Sequence, residues 1–204
     1  EIDAAAKLYL QAETSDLAQG FAESFKRAWD NITKNDRDRM TSAWKGKEIV
    51  PVISMDDNTQ LIAGYEGITR TFQFHTEGVR LALADGMADL VVGHELGHAL
   101  CDAIPDSFMQ MTPTMENRNE ILEGRENEAN LKAMDWGFDM VALTDWGNSK
   151  RTDFVKITGS SAYNNPFTPV PYHPTMNPCG PKVYVGSSCK PSGASGPNDS
   201  SNEE

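Results

Sequence analysis

Residues 91–100 spell Val-Val-Gly-His-Glu-Leu-Gly-His-Ala-Leu, an apolar run carrying two histidines four positions apart with a glutamate just after the first. Four positions is little more than one turn of α-helix, so both imidazoles leave the same face and can bind one metal ion. Glu95 is too close to His94 to join it comfortably as a ligand, but it can take a proton from water polarised by the ion. Leu90, Val91, Leu96, Ala99 and Leu100 make the helix apolar around these groups, which predicts that it is half buried or more. Structural zinc sites are usually rich in cysteine and closed by four protein ligands, whereas catalytic ones keep a position open. The pattern therefore predicts a catalytic Zn²⁺ site with His94 and His98 as metal ligands and Glu95 as general base. Gly93 and Gly97 each cost about 1 kcal/mol inside a helix relative to alanine. Their small size would let another helix or a strand come close to the metal.

A catalytic zinc needs a third protein ligand. The segment after Asn117 offers Glu120, Glu123, Glu126 and Glu128 on a predicted helix that begins with the capping-box pair Asn117 and Glu120 and runs to about Leu143. Glu126 shares its face with Leu122, Ala129, Asn130, Ala133 and Met134, mostly small or apolar, as a face packed on the histidine helix should be. Glu128 shares its face with Gly124, Lys132 and Asp135, which reads as solvent-facing. Glu126 is the predicted ligand, and Asn130, one turn on, is placed to accept the outer N–H of a ligand histidine. His173 is the alternative third ligand.

His94-Glu95-Leu96-Gly97-His98 followed after 28 residues by Glu126-Asn-Glu-Ala-Asn130 resembles the gluzincin branch of zinc metallopeptidases. The wording is most similar to the ImmA/IrrE type and secondarily to the Ste24/HtpX type, and the resemblance covers about residues 78–140. It implies a zincin-like fold, with His94, His98 and Glu126 on zinc, Glu95 as base and Asn130 in support. Where the second type has an aspartate this chain has Asn130, so that hydrogen bond would be neutral and the ligand less basic. The arginine expected after a late His-Pro pair is missing, since nothing basic of that kind follows Tyr172-His173-Pro174; Arg151 is the last arginine. The resemblance implies a metalloendopeptidase acting on a peptide or protein substrate. The alternative is a catalytically silent zincin-like module that binds metal and peptide.

The rest of the chain predicts an α+β domain over residues 1–175, with a small, largely antiparallel sheet packed on the histidine helix and the glutamate helix, and N-terminal helices beside them. Residues 3–30 carry apolar side chains at helical spacing, with Thr14-Ser15-Asp16 as a break and N-cap. Lys34–Arg39 reads as a turn or helix end, and Met40–Trp44 as a short helical piece. Three strands fit residues 48–54, 60–65 and 68–74, the first an edge strand because of Pro51. An edge strand beside a metal cleft can take an extended substrate through backbone hydrogen bonds. His75 reads as a surface histidine at a strand end. One helix from about Gly78 to Ala103, ended by Pro105, carries the motif. Trp146 and Phe154–Ile157 are expected to pack on the domain.

Residues 176–204 read as a Pro/Gly/Ser-rich tail. Cys179 and Cys189 could close a loop as a disulfide, which would favour a secreted or extracytoplasmic setting, or remain free thiols, which would favour the cytoplasm. Cys101 reads as a small buried hydrophobe. Tyr163, Tyr172 and His173 are the late residues able to donate a hydrogen bond to an oxyanion. A net charge of −12, from 30 acidic and 18 basic residues, argues against nucleic acid as a partner. No apolar run reaches the roughly 20 residues of a membrane span. Oligomeric state and substrate sequence leave no signature in the sequence.

Overall fold

The computed structural model describes residues 15–45, 52–55, 62–159 and 167. All belong to the first of two units, Glu1–Pro171; the second, Tyr172–Glu204, lies outside the described residues. Tyr163, Tyr172, His173, Cys179 and Cys189 therefore lie outside them too. The architecture is α+β, with seven helices among the described residues.

Helix α1 (Ser15–Asn31) begins at the predicted break and buries Phe21, Phe25, Ala28 and Trp29. Helix α2 (Lys34–Lys45) runs through the segment expected to be a turn. Thr33 explains the difference: its hydroxyl oxygen accepts the Asp36 backbone N–H at 3.2 Å, and the Lys34–Asp38 pair spans the first turn.

Three short strands follow, β1 (Val52–Met55), β2 (Ala63–Glu66) and β3 (Thr71–Phe74), in the spatial order β1-β3-β2. β2 and β3 form an antiparallel hairpin with Ala63 opposite Phe74, whereas β1 runs parallel to β3 with Val52 opposite Thr71. The sheet is thus half parallel rather than largely antiparallel. Residue alternation fixes which side chains share a face but carries no information on strand direction or order, and here the chain crosses β3 between β1 and β2. Phe72 and Phe74 turn one face of β3 into the core, where their rings meet Phe25 and Phe21 edge-on at 5.6 and 4.7 Å.

The helix expected from Gly78 to Ala103 is two helices, α3 (Thr76–Ala84) and α4 (Ala88–Asp102). The break is Asp85-Gly86-Met87, with Gly86 at φ +72°. Every residue from Val91 to Cys101 in α4 is buried, so this helix lies at the centre of the core. The glutamate-bearing helix also ends earlier than its pattern predicts. α5 (Arg118–Asp135) stops before Gly137 at φ +88°, and α6 (Met140–Ser149) restarts with Asp139 accepting the Ala142 N–H. α7 (Arg151–Thr158) is the last described helix, and Trp146 and Phe154 pack into the core as expected. No helix among the described residues is long and apolar enough to cross a membrane.

Candidate metal centre

α4 and α5 meet at Gly97. A methyl group on Gly97 would lie 2.4 Å from the Ala129 carbonyl oxygen, so the two backbones touch where the metal motif faces the glutamate helix. Gly93, one turn earlier, receives the ring of Phe138, which a Cβ there would meet at 2.8 Å. The two motif glycines thus do what their helix-weakening cost suggests: they remove bulk where neighbours must come close.

This approach brings the predicted donors together. His94 Nε2 and His98 Nε2 are 3.2 Å apart, and Glu126 Oε2 lies 3.2 Å from the first and 3.5 Å from the second. Donors held about 2.0–2.2 Å from one ion at tetrahedral angles sit about 3.3–3.6 Å from each other. The triangle therefore has the size of a first-row metal site with one position left open. Among the described residues these three are the one cluster able to hold an ion.

His94 is fully buried, and its Nδ1 lies 2.9 Å from Asn130 Oδ1. An amide oxygen can only accept, so Nδ1 carries the proton and Nε2 turns a lone pair toward the other donors. Burial alone would raise the Glu126 carboxyl, yet His98 and His94 together hold it well below the usual carboxylate range. Glu126 Oε2 and Glu95 Oε2 are buried without a hydrogen-bond partner. Buried oxygens left unpaired beside two imidazoles are costly unless a cation or water completes them, and this chemistry fits a metal.

Glu95 is 2 % exposed on α4, next to the triangle. Burial pushes its carboxyl up to about 7; His94 pulls against that shift, Glu126 adds to it, and the Tyr65 backbone N–H opposes it. Tyr65 belongs to β2, an edge strand of the sheet, so this edge reaches the site. β2 is tied to the end of α4 by the Tyr65 hydroxyl, which donates to Asp102 Oδ2 at 3.1 Å. Gly67 leaves room for that carboxylate, since a Cβ would stand 2.7 Å from Asp102 Oδ1.

Other placements correct the sequence reading. Glu128 is buried rather than solvent-facing and accepts the Phe108 N–H at 2.9 Å. Its face is covered by the 3₁₀ turn Phe108–Gln110, whose Phe108 ring sits on Gly124. His75 is buried, not at the surface, and caps α3 by accepting the Glu77 N–H on Nδ1. Phe167 was not singled out at all, yet it is fully buried and its ring meets His94 edge-on at 5.2 Å. The Thr144 hydroxyl donates to its carbonyl at 2.5 Å. A single aromatic in a proline-rich stretch gives no periodic signal, so nothing in the sequence marked it. Cys101 is buried with a free thiol, as expected.

No protein-family model, curated protein or solved structure matches the chain.

Proposed function

We propose that the protein is a zinc-dependent metalloendopeptidase, hydrolysing peptide bonds in a peptide or protein substrate. The observation that carries this reading is the convergence of His94, His98 and Glu126 at tetrahedral spacing with the buried Glu95 carboxylate beside them. A zinc ion held by these three donors would supply Lewis acidity toward a substrate carbonyl and toward water.

The chain's own residues account for the remaining work. Asn130 fixes the His94 tautomer, so the ring presents a lone pair without a prior proton loss. Glu95 takes a proton from the attacking water on its unpartnered Oε2 and returns it to the leaving amine nitrogen. Tyr65 donates its backbone N–H to Glu95 and holds that carboxylate in place. Among the described residues β2 is the outermost strand on its side of the sheet, so an extended substrate can align along it by backbone hydrogen bonds close to Glu95.

Glu95→Gln tests the reading directly. Zinc content should stay at one per chain while hydrolysis of a denatured protein pool falls by about 10²–10⁴-fold. Undiminished turnover in that variant would overturn the mechanism. Zinc binding by the wild-type chain with no chelator-sensitive cleavage would instead mark a silent metal- and peptide-binding module.

A further inference from the structure

Tyr65 meets the histidine helix at two points. In the β2–β3 hairpin Tyr65 lies opposite Phe72 and Ala63 opposite Phe74, and next to them the His75 N–H donates to the Ile62 carbonyl at 3.0 Å. Main-chain groups alternate sides along a strand, so Ile62 and Gly64 direct theirs to β3. The Tyr65 N–H therefore points to the open edge, where it donates to Glu95. Its hydroxyl donates to Asp102 Oδ2 at 3.1 Å. Glu95 and Asp102 are seven positions apart, two turns of α4, so both leave that helix on the side where β2 packs.

Asp102 is itself held in one orientation. Gln110, at the end of the 3₁₀ turn, donates from Nε2 to Asp102 Oδ1 at 3.0 Å and also to the Asp102 carbonyl. Each carboxylate oxygen thus has its own donor. For α4 alone this residue is a poor choice, because a negative charge in the last turn faces the negative end of the helix dipole. Its contacts run instead to β2 and to the turn. β2 needs such an anchor: it is four residues long and has one strand neighbour among the described residues, and short edge strands open easily.

We propose that Asp102 is a positioning residue: by anchoring the Tyr65 hydroxyl it fixes the open edge of β2 where the Tyr65 amide holds the Glu95 carboxylate. The proposal rests on the preceding reading for what Glu95 does. It makes one residue, Tyr65, set both the base and the strand edge along which an extended substrate aligns, with Asp102 governing both.

Two measurements on the zinc-loaded full-length chain test this together: amide hydrogen exchange at residue 65, and kcat and KM for a dye-labelled denatured protein. Asp102→Ala should speed that exchange by about 10-fold and lower kcat/KM by about 10-fold, mostly in kcat, as expected for losing one hydrogen bond to a charged acceptor. Zinc content should stay at one per chain. Asp102→Asn keeps an acceptor for the Tyr65 hydroxyl and should restore both quantities to within about 3-fold of wild type. Tyr65→Phe keeps the ring against Phe72 and should match Asp102→Ala, which covers the case in which the alanine variant fails to fold. Arg27→Ala breaks an exposed pair with Asp89 at the other end of α4 and should change neither quantity. With an active wild type, unchanged exchange or unchanged kcat in Asp102→Ala overturns the proposal alone, and so does an equal loss in Asp102→Asn. A zinc-loaded wild type that cleaves nothing overturns the preceding reading and this proposal with it.

Discussion

Gly97 sets how near the helices carrying the two histidines and Glu126 come, because its Cα faces backbone and not a side chain that could swing aside. Gly97→Ala should destabilise the protein by about 1–3 kcal/mol, the usual cost of overpacking. If the three donors hold zinc as proposed, it should also weaken zinc binding, because relieving the clash moves Glu126 away from the histidines. Gly93→Ala presses on the Phe138 ring and should cost stability with a smaller effect on zinc; thermal melts and metal titrations of the two variants separate these outcomes. At this scale the sequence carried most of what matters. His94, Glu95, His98, Glu126 and Asn130 follow from four-residue spacing and the choice of an apolar helix face, and these are local properties. Glu128 and His75 were misplaced because a 3₁₀ turn covers the first and the second turns back to cap the helix after it, and neither appears in the helical period of their own neighbours.

Helix lengths were overestimated twice, at residues 78–103 and at the end of the glutamate helix, and for one reason. Gly86 at φ +72° and Gly137 at φ +88° each turn the chain inside an apolar pattern that continues on the far side. Periodicity persists across such a break because both halves pack on one core, so the pattern alone cannot register the turn. Open space surrounds Gly86, leaving backbone strain as the main penalty for a side chain there. Gly86→Ala should therefore cost about 1 kcal/mol, the left-handed penalty partly offset by a stiffer unfolded chain. A lower urea midpoint with an unchanged slope is the expected result. The opposite error at α2 has the same origin in short-range chemistry: Thr33 with Asp36 is a helix start, and it was obscured by the polar residues that follow.

Across the whole molecule, Asp85 ties the α3–α4 break to the junction of α6 and α7. It accepts the Trp146 indole N–H at 2.8 Å and pairs with Lys150 at 2.8 Å. Lys150 first, and then Trp146, hold its carboxyl below the usual carboxylate range. A carboxyl depressed in the folded state stabilises fully above its unfolded value near 4 and loses that contribution as pH falls through the folded value. The melting-temperature gap between wild type and Asp85→Asn should therefore be constant from pH 7 to about 5 and shrink as pH drops below about 4. A gap that stays constant into acid would show that the charge contributes nothing. Global topology was the least readable part of the sequence, since the parallel β1–β3 pairing depends on a crossover that no residue pattern encodes. Phe167, packed against His94, lies far along the chain from both histidines and from Glu126. On a ribosome, where the chain emerges from its N-terminal side, all three donors leave the exit tunnel before that ring does. On the proposed reading, an ion bound before Phe167 packs would find one side of His94 still uncovered, and that ring would close it afterwards.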